Sequence, residues 1–276
     1  MHALATAIKP RELVRVTGSG NYGESGRSAF YTIDEGSLPP VLAAMRPPEQ
    51  PLERIDLNLP GRLAFIIDGV LSDDEADALT ACAESIYDLN GHSRLAPGIQ
   101  TPPGMRLNMA AHWYPSRAAA SKLFPPLFER FRHLVPQNLG GMPLHEALSE
   151  KIAHFKYADG DRFSPHVDGH FPGQGANESG DGVDEWLGVK TGMSILLYLN
   201  DEDDGFVGGE TRLWGADGEH FVDVKPRKGR ALFFRHGHGP DSVMHAGLPV
   251  SGGVPKYIAR VNLAYGERHG TEPLYA

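Results

Sequence analysis

Residues 256–265 read KYIARVNLAY. Tyr257, Ala259, Val261, Leu263 and Tyr265 are apolar, and the alternate positions carry Lys256, Ile258, Arg260 and Asn262. A period of two is that of a β-strand, whose successive side chains leave opposite faces. One face therefore packs, and the other is polar and cationic. Facing solvent, that second face is unremarkable chemistry. Facing a barrel interior, its cations need an anion beside them, and a ligand carboxylate supplies one through charge-assisted hydrogen bonds.

Outward from this stretch, IAHFKY (152–157), SILLYL (194–199) and ALFFR (231–235) are further short apolar runs, separated by Gly, Asp and Pro clusters. That spacing predicts an antiparallel sandwich or barrel. Upstream, Leu63–Ile67 reads as a strand. Ser72 and Glu75 then form a capping box, and Ala76, Leu79, Ala83 and Ile86 fall on one helical face. A second helix is expected between Arg117 and Leu134, interrupted by Pro125 and Pro126. Residues 1–61 read as an irregular arm, because six prolines lie between Gly36 and Pro60. Gly18, Gly20 and Gly23 form a GxGxxG string, but no helix pattern follows it, so a turn is the better reading than a dinucleotide site. The organisation is thus an arm over 1–61, a main domain over 62–268 and a tail over 269–276.

The chain has 276 residues, 41% hydrophobic and 22% charged, a composition of soluble globular proteins. Its single cysteine, Cys82, excludes an intramolecular disulfide and a multi-thiolate zinc site. No apolar run approaches the length of a membrane span, so no membrane partner is expected. The opening MHALATAIKPREL lacks the apolar core of a signal peptide, which points to the cytoplasm. Lys and Arg total 26 against 35 Asp and Glu, a net charge of −9 that disfavours nucleic acid as a partner. Oligomeric state is not legible in the sequence.

The chemistry concentrates in two segments. In RFSPHVDGH, His166 and Asp168 stand at i and i+2, so on an extended chain they share a face and offer two legs of a metal site. The third would come from RHGHGPDSVMHAG, which holds His236, His238 and His245. Two imidazoles and one carboxylate make the facial triad of non-haem Fe(II) oxygenases; a catalytic zinc site uses the same residue types. Arg106 and Asn108, in GMRLN, are either surface residues or substrate contacts able to recognise a carboxylate or amide. The loops at 90–112 and 169–190 are expected to line the entrance.

Four segments in order resemble one family: RLAFIIDGVLSDDEADAL, FKYADGDRFSPHVDGH, SILLYLNDEDDGFVGGETRLW, and VKPRKGRALFFRHG with HAGLPVSGGVPKY. From Arg62 to Gly266 the chain resembles the prolyl-4-hydroxylase-like branch of the Fe(II)/2-oxoglutarate dioxygenases. The resemblance implies a mainly β fold with flanking helices, a double-stranded β-helix or jelly roll. It implies His166, Asp168 and His245 as catalytic iron ligands. Lys256 matches the residue that grips the distal carboxylate of 2-oxoglutarate, with Arg260 in reserve because Lys256 stands one residue beyond the commonest spacing. Tyr157 and Ser194 match further 2-oxoglutarate contacts, whereas Gly208 and Gly209 read as turn or bulge formers. The implied cofactors are Fe(II), 2-oxoglutarate as co-substrate and O2, with ascorbate supportive. The implied reaction is hydroxylation of an unactivated C–H bond of a small-molecule, amino-acid or peptidyl-proline substrate, with release of succinate and CO2. A carboxylate at 168, rather than the small residue of related halogenases, implies hydroxylation. The competing expectation is a non-catalytic or cupin-like metal-binding jelly-roll module, although cupins usually use an HxH pair and a glutamate.

Overall fold

The structure is a computed structural model that describes residues 7–13, 15–16, 30–89 and 104–269. The Gly18–Gly23 string, residues 90–103 of the expected entrance loop, and all but the first residue of the 269–276 tail lie outside the described residues.

The alternating runs form two facing sheets. The larger has 11 strands, and its centre runs in the order Met109–Pro115, Ser149–Tyr157, Lys256–Gly266, Gly182–Tyr198, Ala231–Arg235 and Ala64–Ile67. The smaller has four strands, in the order Phe163–His166, His245–Gly247, Thr211–Trp214 and Phe221–Val224. The expected mainly β jelly roll with flanking helices is what forms.

Register decides which residues face which layer. Ile195 pairs with Val261 and Leu197 with Ala259, and this face packs against the helices Asp73–Leu89 and Arg117–Glu129 in the larger core. Leu196 pairs with Arg260 and Tyr198 with Ile258. The apolar members of this second face pack with Phe163, Leu213 and Val224 of the smaller sheet. The cationic face of residues 256–265 is therefore the interior one.

The first helix starts as its capping box requires. The Ser72 amide donates to Glu75 Oε2 at 2.9 Å, and the Glu75 amide donates to Ser72 Oγ at 3.3 Å, an arrangement worth about 1 kcal/mol. Ala76, Leu79, Ala83 and Ile86 are all buried. Glu75 itself is buried against Arg130, with its Oε1 and Oε2 each 2.7 Å from the guanidinium.

Three expectations need correction. The described part of 1–61 is not an irregular arm: Phe30–Ile33 pairs in parallel with Met109–Pro115, and Arg54–Asp56 pairs with Ala64–Ile67. Its prolines fall between these strands, where no ladder hydrogen bond is lost. The second helix runs unbroken from Arg117 to Glu129 with Pro125 and Pro126 inside it. The carbonyls those prolines cannot reach are those of Ser121 and Lys122, on a flank open to solvent. Residues 169–190 are no loop: Pro172–Ala176 pairs with the start of Gly182–Tyr198 as a β-hairpin.

Candidate metal centre

His166 ends one strand of the smaller sheet and His245 begins its neighbour, and the two are direct partners in register. Their ring centroids are 4.2 Å apart. Asp168, two residues beyond His166, turns into the same space. One ligand atom from each of the three lies within 4.8 Å of the others. Of the three histidines in RHGHGPDSVMHAG, register thus selects His245.

Hydrogen bonds fix the tautomers. His166 Nδ1 faces the Ser164 carbonyl at 2.8 Å, and His245 Nδ1 faces the Val243 carbonyl at 3.2 Å. A carbonyl only accepts, so each Nδ1 carries the proton and each Nε2 keeps its lone pair. Those Nε2 atoms stand 4.0 Å and 3.8 Å from the Asp168 oxygens. Burial, followed by the neighbouring His245, pushes the His166 imidazole down to about 3. Burial likewise lowers His245. Both rings are neutral near pH 7, the state a metal ligand needs.

Asp168 is ionised. Burial alone would raise its pKa, but Arg260, and then His245 and His166, hold it well below the usual carboxylate range. Arg260 Nη1 donates to Asp168 Oδ1 at 2.5 Å, and Ser194 Oγ donates to Oδ2 at 2.6 Å. Ser194 Oγ also lies 2.9 Å from His236 Nδ1, and His236 Nε2 lies 3.0 Å from Thr191 Oγ1. A chain of short polar contacts thus orients the carboxylate from behind.

A cavity opens beside the triad, walled by Phe155, Tyr157, Phe163, Leu196, Thr211, Ile258 and Arg260. Lys256, next to the cavity-lining Tyr157 but outside the lining itself, is fully buried. Its ammonium donates to the Gly209 carbonyl and lies 4.9 Å from the Tyr157 ring centroid and 5.7 Å from that of Tyr198. Burial pushes the Lys256 ammonium down to about 7.

Residues 152–264 match the family model described as the 2OG-Fe(II) oxygenase superfamily. That stretch is similar to the oxygenase domain of this family. No curated protein matches the chain. Among solved structures, the domain is similar to a viral collagen prolyl hydroxylase from Paramecium Bursaria Chlorella virus-1. That match has 20% identity over 74% of this chain and 96% of that chain, with a TM-score of 0.45. A Pseudomonas putida prolyl-4-hydroxylase matches at 21% identity over 75% of this chain and 93% of that chain, with a TM-score of 0.47. HygX from Streptomyces hygroscopicus, with nickel and 2-oxoglutarate bound, matches at 16% identity over 78% of this chain and 86% of that chain, with a TM-score of 0.40.

The family-model match over residues 152–264 bears out the sequence expectation of a 2-oxoglutarate-dependent dioxygenase. The residues expected to touch the oxygenase's co-substrate divide into two groups. Tyr157 and Arg260 line the cavity. Lys256 and Ser194 do not line it: Lys256 donates to the Gly209 carbonyl, and Ser194 donates to Asp168. Gly208, in a short strand paired with Val250, and Gly209 take left-handed φ of 79° and 70°. A Cβ at Gly209 would lie 2.9 Å from Lys256 Cδ, so this glycine also makes room for the lysine. Arg106 bridges to Phe163 and Asn108 is buried, and neither is a solvent-facing bystander. Sequence reasoning missed Thr211, Phe155 and Phe163. The signal was present, since Thr211 closes the GGET segment and Phe155 shares the face of Tyr157 by alternation.

Proposed function

We propose that the protein is an Fe(II)- and 2-oxoglutarate-dependent hydroxylase of the prolyl-4-hydroxylase-like kind. It acts on an unactivated C–H bond of a small-molecule, amino-acid or peptidyl-proline substrate and releases succinate and CO2. The observation that carries this reading is the pairing of His166 with His245, both tautomers set so that two Nε2 lone pairs and one ionised carboxylate converge. Two neutral nitrogens and one carboxylate suit ferrous iron, and His166, Asp168 and His245 would hold it.

Bound Fe(II) with 2-oxoglutarate and O2 supplies the oxidative chemistry. The protein's own residues position and shield. The Ser164 and Val243 carbonyls keep the Nδ1 protons in place, and Ser194 and Arg260 hold Asp168 in one orientation. Lys256 is a buried cation with a carbonyl for a partner, whereas Arg260 already faces Asp168. An uncompensated buried cation is the stronger draw for a carboxylate, so Lys256, with Tyr157 beside it, holds the distal carboxylate of 2-oxoglutarate. Arg106 and Asn108 face the substrate, and the apolar walls exclude water.

Purified protein with Fe(II), ascorbate, 2-oxoglutarate and a substrate panel is expected to form succinate. His166→Ala and Asp168→Ala are expected to lose both turnover and calorimetric metal binding. Variants lacking both side chains that still bind iron normally would refute the assignment.

A further inference from the structure

Outside the cavity lining, cations stand against aromatic rings with no carboxylate in direct contact among the described residues. Arg106 forms an isolated bridge to Phe163. Its guanidinium lies 4.4 Å from the Phe163 ring centroid and 5.1 Å from that of Phe155, both cavity walls. Phe163 in turn stacks on His166 at 3.7 Å between centroids. One aromatic ring therefore separates the guanidinium from a metal-ligand imidazole. Among the described residues no carboxylate forms an ion pair or hydrogen bond with Arg106, although Asp168 is near enough to attract it, and its Nε is buried without a hydrogen bond.

Asn108 provides a second, independent observation. It is 1% exposed, and both its amide oxygen and amide nitrogen lack any hydrogen-bond partner. It immediately precedes the strand Met109–Pro115, whose Ala110 belongs to the interior core. A buried, unsatisfied amide costs several kcal/mol in apolar surroundings unless something fills its hydrogen bonds. An amide N–H₂ and a guanidinium fork, here two residues apart in the chain, are a donor set for a carboxylate.

Lys151 adds a further cation. It shares a strand face with Ala153, Phe155 and Tyr157. Its ammonium lies 5.1 Å from the Phe30 ring centroid and 5.5 Å from that of Phe171, with no carboxylate against it among the described residues. Asp168 is the one carboxylate among the cavity-lining residues. That carboxylate and the two of 2-oxoglutarate would be more than matched by a divalent metal, Arg260 and Lys256. Arg106 and Lys151 then remain without an anion. In a chain of net charge −9, such a local group of cations draws anions selectively.

We propose that Arg106 and Asn108, aided by the charge of Lys151, bind a carboxylate carried by the molecule that is oxidised, so that the substrate is a small carboxylic acid. This rests on the hydroxylase reading above and deepens it. The acid group would dock one ring's thickness from the metal centre and present a nearby C–H bond to it.

The test uses full-length protein loaded anaerobically with Fe(II) and 2-oxoglutarate. It is titrated calorimetrically with matched pairs, each free amino acid or simple carboxylic acid against its primary amide. At least one acid is expected to bind, with its amide about tenfold weaker or worse. Arg106→Gln is expected to weaken that acid by about 10- to 100-fold while leaving Fe(II) and 2-oxoglutarate affinities within about twofold. Arg106→Lys, which keeps charge but loses the planar fork, should fall between, and Lys151→Met should show a smaller loss. Equal binding of acids and amides would overturn the proposal, as would a panel in which no acid binds. Equal weakening of 2-oxoglutarate in Arg106→Gln would also overturn it and assign Arg106 to the co-substrate. A wild-type protein that fails to bind 2-oxoglutarate would instead defeat the hydroxylase reading beneath it.

Discussion

Replacing Lys256 by Met separates what the lysine does for binding from what it costs the fold. Methionine keeps the length and the apolar stem and removes the ammonium. The group is fully buried, and its folded-state pKa is about 7 against 10.5 in its ordinary environment. Between those values the unfolded chain holds the proton more tightly, so stability rises with pH from about 7 towards 10.5. At pH 7 the unmet burial of the charge amounts to several kcal/mol, at about 1.4 kcal/mol per pKa unit. The lost hydrogen bond to the Gly209 carbonyl offsets about 1 kcal/mol of that. Lys256→Met should therefore raise the melting temperature of the ligand-free protein at pH 7, by roughly 2–4 °C for each net kcal/mol. The same change removes the distal anchor for 2-oxoglutarate. A charge-assisted hydrogen bond is worth about 1.5–3 kcal/mol, so the co-substrate Kd should rise by roughly 10- to 100-fold. The assay is a pair of melting curves, with and without metal and 2-oxoglutarate, run at pH 7 and pH 9.5. The wild type should melt lower without ligand and gain more with it, and the ligand-free gap should narrow at the higher pH. A lower melting temperature for Lys256→Met at pH 7 would show that the Gly209 contact dominates. An unchanged co-substrate affinity would move the anchoring role to Arg260.

Three further outcomes follow from groups away from that contact. His154 is fully buried against Trp113, with neither ring nitrogen partnered, and burial pushes its imidazole down to about 3. Its neutral state stabilises the fold above pH 6.5, and that contribution is lost as pH falls from 6.5 towards 3. His154→Phe should move the urea midpoint up relative to wild type by more at pH 5 than at pH 7.5, and equal differences at both would refute this. Ser194→Ala removes the donor to Asp168 Oδ2 and should weaken anaerobic Fe(II) binding by about tenfold, with Ser194→Thr near wild type. An unchanged Kd in the alanine variant would show that Arg260 alone orients the carboxylate. Arg130→Met leaves the buried Glu75 charge with only the Ser72 amide to meet it and should cost about 3–5 kcal/mol in chemical denaturation, part of which Glu75→Gln, which keeps the capping bond, should recover on the same background.

What the sequence revealed and what it concealed have one physical cause. Alternation in residues 256–265 showed which side chains share a face, and the HxD spacing put His166 and Asp168 on one side of a strand. Neither pattern says which face is enclosed. That is set by the smaller sheet laid across the larger one, and by the register that seats His245 opposite His166 rather than leaving His236 or His238 there. Once register is fixed, His236 falls behind Ser194 and supports Asp168 from the rear. A local motif cannot separate that role from a ligand's, because both call for a buried histidine near the same carboxylate. The N-terminal strands were hidden for a related reason. Phe30–Ile33 is held by parallel pairing to Met109–Pro115, a contact distant along the chain, while the prolines around it dominate the local reading. Lys151 was legible in principle, since extending the alternation of Phe155 and Tyr157 back by two steps reaches it. Its meaning emerges only when Phe30 and Phe171 stand against its ammonium and no carboxylate among the described residues pairs with it. A cation left in that position, one strand over from Arg260, is the point at which the enclosed face stops describing the fold and begins to describe the ligand.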